Sequence, residues 1–207
     1  SAVKSLLEKE LIVEEKKEKY RINISDNQDI KRNVLNEEQK NVYNEVINSK
    51  GYNTFLLEGV TGSGKTEVYL NLVEYMIKNN KTSLVLVPEI SLTMQIVRRF
   101  YEYFGRRVAI FHSALSEGEK YDEYLKILKG EVSVVVGTRS AIFTPLKNLG
   151  LIIVDECHSD TYKQDNTPRY NALDIANYRG IYNSIPVIFG SATPRLEERA
   201  RAIKGVY

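Results

Sequence analysis

The sequence predicts an α/β domain with a mostly parallel sheet and helices on both faces, and three observations support that fold. Short β-rich runs alternate with helical patterns from Leu35 onward, which is typical of a doubly wound domain. Several of these runs are continuously apolar rather than alternating, which indicates parallel strands buried on both faces. The polar motifs of the chain follow predicted strands directly, at the sheet edge where such folds bind their ligands.

The predicted elements follow one another in a regular order along the chain. Residues 1–34 include a mixed charge run at 14–19, so we expect a linker or the end of a preceding region there, and a domain over 35–207. Apolar residues at helical spacing predict helices near 35–43, 67–76, 93–103, 117–128 and 171–182. Apolar and β-branched runs predict strands at 54–57, 83–87, 108–111, 132–136, 151–154 and 187–189.

Composition places the chain among soluble globular proteins and narrows its chemistry. Of 207 residues, 43% are apolar and 27% are charged, as in ordinary soluble domains. The net charge of +2 is too small to indicate nucleic-acid binding by itself. A single cysteine excludes an intrachain disulfide framework and a cysteine-based zinc site, and it fits a reducing cytosol. The sequence has no apolar run long enough for a membrane span and no signal peptide. It opens with Ser1 rather than Met, so we expect a fragment of a longer protein.

The motif at residues 59–66 predicts a nucleoside triphosphate site. It reads Gly-Val-Thr-Gly-Ser-Gly-Lys-Thr and has the P-loop spacing G-x-x-x-x-G-K-[ST]. It lies between a predicted strand and a predicted helix, so backbone N–H groups and the helix N-terminus can face phosphates. Lys65 is expected to reach the β- and γ-phosphates, and the Thr66 hydroxyl to bind Mg²⁺. The alternative is a glycine-rich turn that binds nothing. The predicted nucleotide-binding residues of the motif are Gly59, Thr61, Gly62, Ser63, Gly64, Lys65 and Thr66.

Two acids follow the apolar run 151–154 and predict a hydrolytic site. Asp155 suits the role of holding Mg²⁺, and Glu156 suits the role of orienting and deprotonating an attacking water. The alternative is a pair of solvated acids at a strand end. We expect His158 to connect this site to neighbouring elements, and Cys157 to be a small buried residue without a redox role.

Other strand ends carry polar residues that could contact a nucleic-acid backbone. The hydroxyls of Ser191 and Thr193 could hydrogen-bond the acidic pair and relay the nucleotide state to a bound strand. Arg139 follows another predicted strand and offers a charge to a phosphate, and the run 88–95 has a similar position. Several such loops at one edge predict a track for a nucleic-acid backbone.

The segment 161–170 mixes aromatic and basic residues without a regular period. Tyr162 and Tyr170 could stack on exposed bases, while Lys163 and Arg169 pair with phosphates. The alternative is a partly packed surface loop. Upstream of the P-loop, the amide of Gln39 could pair with the edge of adenine. Its alternative is an ordinary exposed glutamine on a helix.

Together these motifs resemble the first motor lobe of superfamily 2 helicases with Asp-Glu-x-His boxes, and more closely the PriA family of primosomal replication-restart helicases (primosomal protein N′). The resemblance covers roughly residues 35–201. Its most specific parts are Tyr-Lys-Gln at 162–164 and Pro-Glu-Ile-Ser-Leu-Thr at 88–93. The other matching runs are 59–67, 112–116, 137–143, 149–155, 168–170 and 190–194.

The resemblance implies a RecA-like P-loop NTPase domain that uses ATP and Mg²⁺, with no zinc in this fragment. It implies 3′-to-5′ unwinding of DNA at stalled forks for primosome assembly, in the cytoplasm of a bacterium. The implied partners are single-stranded or forked DNA, replication-restart proteins and single-strand-binding proteins. An aromatic-rich loop that includes Tyr162 and Gln164 would sense single-stranded DNA. Residues 1–33 resemble the tail of a winged-helix region followed by a linker.

The sequence also departs from the family. Cys157, Ser159, Asn171 and Leu173 stand where the family often has other residues, but none of these changes the acidic pair. The chain has no counterpart of the family's second motor lobe, which supplies an arginine finger worth about 10³–10⁵ in rate. We therefore expect the fragment to bind ATP weakly and to turn it over poorly. Two alternatives stay open: a nucleotide-switched binding module that unwinds nothing, and a double-strand translocase or RNA helicase of the same superfamily.

Overall fold

The computed structural model describes residues 33–60, 62–89 and 94–204, and its strands and helices alternate. The strands are β1 (Thr54–Glu58), β2 (Thr82–Leu86), β3 (Val108–Phe111), β4 (Val134–Gly137), β5 (Leu149–Val154), β6 (Lys163–Gln164), β7 (Tyr170–Asn171) and β8 (Val187–Ser191). The helices are α1 (Glu37–Asn48), α2 (Lys65–Lys78), α3 (Met94–Phe104), α4 (Glu117–Lys129), α5 (Ala172–Asn183) and α6 (Leu196–Ile203). Short 3-10 turns span Gly105–Arg107, Arg139–Phe143 and Asp160–Tyr162.

The main sheet of the described residues is parallel, with the strand order β1-β8-β5-β2-β4-β3. All six of its strands are predicted by the sequence, and the predicted ends agree within two residues. Because the strands are parallel, their carboxyl ends meet at one edge. There the P-loop follows β1 and the acidic pair follows β5, with β8 between them. The topology therefore brings the two predicted half-sites together.

Burial of both faces of the sheet explains the continuous apolar runs. Leu84 and Leu86 of β2 pack in a cluster that includes Ile127 of α4. Val85, between them, packs in a second cluster with Val68 of α2 and Phe100 of α3. Alternate residues of one strand thus enter opposite cores, and the prediction of helices on both faces is confirmed.

The hairpin β6–β7 and helix α6 are not predicted by the sequence. The hairpin strands have two residues each, with Lys163 opposite Asn171 and Gln164 opposite Tyr170 in an antiparallel register. Strands this short carry no periodic pattern. The segment 161–170 is therefore ordered by a 3-10 turn and a hairpin.

Some predictions fall outside the described residues. They concern residues 1–32, Thr61, and residues 90–93 of the run 88–95. The boundary between residues 34 and 35 stays a prediction. Within the described ranges, no helix has both the length and the apolar character that crossing a membrane requires.

Candidate nucleotide site

The P-loop turns between β1 and α2 because two of its glycines adopt the left-handed conformation. Gly62 and Gly64 have φ angles of +84° and +85°, which residues with a side chain rarely adopt. Gly64 is the N-cap of α2, and the first N–H groups of a helix have no acceptor within it. The N–H of Gly59 donates to the carbonyl oxygen of Ser191 at 3.1 Å, which ties the loop to β8. The described residues of the loop thus have the backbone arrangement that binds phosphate in other proteins.

Lys65 connects the P-loop to the acidic pair. Its Nζ donates to the carbonyl oxygen of Gly59 at 2.6 Å and lies 3.7 Å from Glu156 Oε1. The side chain is only 9% exposed, so its charge acts where solvent screens it little. A phosphate in the loop would compete with both of these contacts for the ammonium group.

Asp155 is held at both its carboxylate and its backbone. The residue is 6% exposed, and its N–H donates to the carbonyl oxygen of Leu86 at 2.9 Å. The hydroxyl of Tyr69 donates to Asp155 Oδ1 at 2.9 Å, and the hydroxyl of Tyr162 donates to the Asp155 carbonyl oxygen at 2.5 Å. Burial raises the pKa of Asp155, and the bond from Tyr69 opposes that rise. Burial also raises the pKa of both tyrosines, so their hydroxyls stay protonated as donors.

Glu156 has an unusual backbone conformation. Its φ angle is +45°, in the left-handed region that costs a residue with a side chain about 1–3 kcal/mol. Such conformations cluster at active sites. The carboxylate is 25% exposed, with Lys65 on one side and His158 Nδ1 at 3.4 Å from its Oε2. Glu156 therefore reaches solvent, whereas Asp155 is enclosed.

His158 connects Glu156 of the acidic pair to β8, and its expected coupling role stays a prediction. Its Nδ1 lies 2.8 Å from Ser191 Oγ, and that oxygen accepts a bond from the backbone N–H of Thr193 at 3.0 Å. The expected contacts of the two hydroxyls differ in detail. The Ser191 hydroxyl contacts His158 rather than a carboxylate. Thr193 contributes its backbone N–H, which donates to Ser191 Oγ at the end of β8, rather than its hydroxyl.

A cleft of about 630 Å³ is lined by the P-loop and by the acidic pair. Lys65, Thr66, Asp155 and Glu156 all line it, and α3 forms another wall. A carboxylate and a hydroxyl are the hard oxygen donors that Mg²⁺ prefers, and Mg²⁺ usually takes few protein ligands because phosphates and waters supply the rest. The donor set of Asp155 and Thr66 therefore fits Mg²⁺ bound together with a nucleotide. In the described part of the chain, no group of three or more His, Cys, Asp or Glu could hold a metal by itself.

Gln39 holds the P-loop in this structure. Its Nε2 donates to the carbonyl oxygen of Ser63 at 3.1 Å, and its Oε1 accepts from the N–H of Asn36 at 3.0 Å. A Cβ added at Gly64 would lie 2.4 Å from Nε2, so the third glycine of the loop leaves room for this amide. The adenine contact stays a prediction, and these two bonds leave Nε2 a second N–H and Oε1 a second lone pair for it.

Helix α3 is attached to the P-loop helix by a buried acid. Glu67 follows the predicted Mg²⁺ residue Thr66 and is 9% exposed. Its carboxylate forms an ion pair with Arg99 and accepts from the hydroxyl of Tyr103 at 3.3 Å. The helix that follows the run 88–95 is therefore fixed to the residue beside the nucleotide-binding motif.

The structure corrects the expectation that Tyr162 stacks on bases. Tyr162 is 1% exposed, because the 3-10 turn Asp160–Tyr162 directs its ring into the core beside β5. Its hydroxyl reaches the carbonyl oxygen of Asp155. The ring offers no open face to a base, so Tyr162 connects the segment to the acidic pair instead.

The structure gives Arg139 partners that the sequence does not predict. Its guanidinium donates to the carbonyl oxygens of Thr161 and Lys163, at 3.1 and 2.6 Å. It lies 5.8 Å from the ring centre of Tyr170. These contacts, both made by Nη1, order the segment, and the contact of Arg139 with a phosphate stays a prediction.

The remaining predicted residues of the segment lie at its surface. Lys163 and Arg169 are exposed and Tyr170 is half-buried. Lys163 Nζ lies 3.4 Å from Asp165 Oδ1, and Gln164 Nε2 donates to the carbonyl oxygen of Pro168 at 2.8 Å, which closes the hairpin. Contacts of these residues with DNA stay predictions.

Sequence reasoning missed three residues of this region. Tyr69 lies four residues after Lys65 on α2, a spacing that places both on one helix face, so helical periodicity could have identified it. Arg195 donates to the carbonyl oxygen of His158 at 2.7 Å and to Asp160 Oδ1 at 2.5 Å. Phe143 is 59% exposed and meets the ring of Tyr170 edge-on at 5.0 Å. No local pattern distinguishes these last two.

Comparisons with known proteins agree with this geometry. Residues 36–202 match the family model of the DEAD/DEAH box helicases. The replication restart protein PriA of Bacillus subtilis is 50% identical to this chain over 212 residues, which cover all of this chain and 26% of that protein. The replication restart protein PriA of a Synechocystis strain is 47% identical, covering 95% of this chain and 24% of that protein. The chain spans about a quarter of the length of these curated relatives.

Solved structures agree on the fold. RecG bound to a three-way DNA junction has a TM-score of 0.61 and 28% identity, covering 83% of this chain and 23% of that one. The UvsW helicase of bacteriophage T4 has a TM-score of 0.58 and 21% identity, covering 87% of this chain and 58% of that one. The RecA-like α/β fold is thereby confirmed. The chain belongs to the DEAD/DEAH box helicase family, as a helicase lobe similar in sequence to part of the replication restart protein PriA.

Proposed function

We propose that this chain is the ATP-binding lobe of a DNA helicase, which couples ATP hydrolysis to 3′-to-5′ unwinding at stalled replication forks. One observation carries the proposal: Lys65, Thr66, Asp155 and Glu156 line a single cleft at the carboxyl edge of the sheet. The names of the relatives extend it to replication restart. The proposed partners are single-stranded or forked DNA and proteins of replication restart and single-strand binding, in the bacterial cytoplasm.

Each residue of the cleft would have a separate role in phosphoryl transfer. Lys65 would leave the Gly59 carbonyl and Glu156 to bind the β- and γ-phosphates, and Thr66 and Asp155 would hold Mg²⁺. When bound, Mg²⁺ neutralises negative charge on the phosphates. Glu156 is the group suited to accept a proton from the attacking water, because it borders the cleft and reaches solvent. Release of Lys65 from Glu156 would free the carboxylate for that role.

The contacts of the acidic pair support coupling to DNA through two routes. One runs from the Asp155 carbonyl through the hydroxyl of Tyr162 to the segment that Arg139 orders. The other runs from Glu156 through His158 to Ser191 at the end of β8. DNA that moves either element would therefore shift the acidic pair, which is a physical basis for DNA-stimulated hydrolysis.

The proposal is tested by unwinding with the full-length protein. We expect ATP-dependent separation of a forked DNA carrying a 3′ single-stranded arm, and no separation by Lys65→Ala. Lys40→Ala is the matched control, because Lys40 is an exposed lysine of α1 away from the cleft. A 5′ arm, blunt duplex and RNA serve as alternative substrates. Preference for blunt duplex or RNA would contradict the proposed substrate, and ATP binding without separation of any substrate would indicate a nucleotide-switched binding module instead.

The isolated chain should bind ATP weakly and hydrolyse it slowly, because an arginine finger from a second lobe is worth about 10³–10⁵ in rate. Steady-state turnover by the isolated chain, compared with the full-length protein, measures this directly. Equal turnover by the two proteins would contradict it.

A further inference from the structure

Tyr69 makes a contact that the proposed mechanism does not use. It lies on α2 one turn after Lys65, and it is 2% exposed. Its hydroxyl donates to Oδ1 of Asp155 at 2.9 Å. This is a bond from the P-loop helix to the carboxylate that is expected to hold Mg²⁺, and it crosses the core between α2 and β5.

Gly190 provides the space for this contact. Gly190 lies in β8 next to β5, and its carbonyl oxygen accepts the N–H of Cys157 at 2.9 Å. A Cβ added at Gly190 would lie 1.8 Å from the Tyr69 hydroxyl oxygen and 3.1 Å from Asp155 Oδ1. The φ angle of Gly190 is not among the positive ones of the described residues, so space rather than backbone conformation accounts for glycine here.

We propose that Tyr69 is a positioning residue for the metal-binding carboxylate, and that Gly190 is required because any side chain would displace the Tyr69 hydroxyl. This inference rests on the proposed function, because it assigns Asp155 to Mg²⁺. With Oδ1 held by Tyr69, the carboxylate keeps one rotamer relative to Thr66 across the cleft. Partners that orient metal ligands in this way typically change metal affinity or activity by about 10- to 100-fold when they are removed.

Tyr69→Phe tests the proposal because it removes only the hydroxyl. In the full-length protein, we expect the Mg²⁺ concentration for half-maximal ATP turnover to rise about tenfold or more. Saturating Mg²⁺ should restore part of the rate. Tyr178→Phe is the matched control, because it also removes a tyrosine hydroxyl but at a side chain of α5 that is 74% exposed and does not line the cleft. It should leave the half-maximal Mg²⁺ concentration near the wild-type value.

A binding measurement separates positioning from general damage. Mn²⁺ binding in the presence of a non-hydrolysable ATP analogue, followed by electron paramagnetic resonance, should weaken in Tyr69→Phe. Binding of a fluorescent ATP analogue in EDTA should not change. Wild-type Mn²⁺ affinity in Tyr69→Phe would overturn this inference alone, whereas a wild-type protein without metal-dependent nucleotide binding would overturn the proposed function.

A double variant tests the role of Gly190. Gly190→Ala alone should weaken Mn²⁺ binding, because the added methyl group displaces the Tyr69 hydroxyl. In Tyr69→Phe the atom at 1.8 Å is gone, and the next contacts are at 3.1 Å. The double variant should therefore bind Mn²⁺ as tightly as Tyr69→Phe does, and a thermal melt confirms that it folds. A double variant that binds Mn²⁺ more weakly than either single variant would contradict the proposed link between the two residues.

Discussion

The nucleotide cleft and the segment 161–170 both reach Asp155, but their charged side chains differ in exposure to solvent. In the cleft, the side chain of Lys65 is 9% exposed and Asp155 is 6% exposed. In the segment, the side chains of Lys163 and Asp165 are 67% and 80% exposed. Low exposure strengthens an electrostatic interaction, whereas solvent and salt screen exposed charges. A charged ligand in the cleft would therefore meet poorly screened charges, whereas the charges of the segment can contribute only weak and salt-dependent contacts.

Tyr162 is the residue that attaches the segment to the core. Tyr162 is buried and bonded to Asp155, while the basic residues around it face solvent. In the proposed function, the segment would therefore signal through the position of its backbone, which Tyr162 and Arg139 hold. Four predictions test this difference between the two regions, and they are given in order of decreasing effect.

The largest effect is expected in the cleft. Glu156→Gln keeps the shape of the side chain and removes its ability to accept a proton, so ATP turnover should fall by about 10²–10⁴-fold. ATP binding should be retained, because Lys65 and the P-loop remain. Steady-state turnover and equilibrium binding of a fluorescent ATP analogue measure the two quantities. Glu37→Gln, an exposed acid in the first turn of α1, is the control and should behave as wild type.

The second prediction concerns the connection between the two regions. Tyr162→Phe leaves the buried carbonyl of Asp155 without its donor, so the free energy of unfolding should fall by about 1–3 kcal/mol. Urea denaturation checks this value. The ratio of ATP turnover with and without single-stranded DNA should also fall. Tyr178→Phe, at a tyrosine that is 74% exposed, should change neither quantity. A full DNA response in Tyr162→Phe would show that the signal takes another route.

The third prediction concerns the exposed charges of the segment. Lys163→Ala with Arg169→Ala should weaken binding of single-stranded DNA and reduce the slope of log affinity against log salt by about 0.7 for each phosphate that is no longer neutralised. The slope is measured by fluorescence anisotropy at several salt concentrations. Lys40→Ala with Lys50→Ala removes the same charge from exposed positions on and just after α1. An equal change in that control would mean that net charge alone determines binding.

The smallest effect is expected at Cys157. The thiol is buried, its Sγ donates to Glu198 Oε2 at 3.6 Å, and burial raises its pKa. It should react with a thiol reagent such as DTNB only slowly in the folded protein, and fully after unfolding. Rapid reaction in the folded state would contradict the packing beside the acidic pair.

The sequence predicts those features of the site that depend on local backbone conformation and on strand order. The P-loop can be predicted because its turn needs glycine at fixed positions, and Gly62 and Gly64 do adopt positive φ angles. The parallel sheet follows from the continuous apolar runs. The meeting of Lys65 and Glu156 follows from topology, because strands β1 and β5 end at the same edge.

The sequence was not sufficient where function depends on the direction of a side chain. Tyr162 and Tyr170 look equivalent in an aromatic and basic run, yet a turn buries the first and a hairpin leaves the second half-exposed. Arg139 looks free, but its partners are carbonyl oxygens more than twenty residues away. The contact of Tyr69 with Asp155 similarly depends on the absence of a side chain at Gly190 in another strand.

In the proposed function, Glu156 and Lys65 act on ATP in a cleft whose activity responds to DNA. The most direct test is the rate of ATP turnover by the full-length protein, measured with and without single-stranded DNA, for wild type and Glu156→Gln in parallel. We expect DNA to raise the wild-type rate, and Glu156→Gln to be inactive under both conditions. A turnover rate that is the same with and without DNA, and that is retained in Glu156→Gln, would contradict the account.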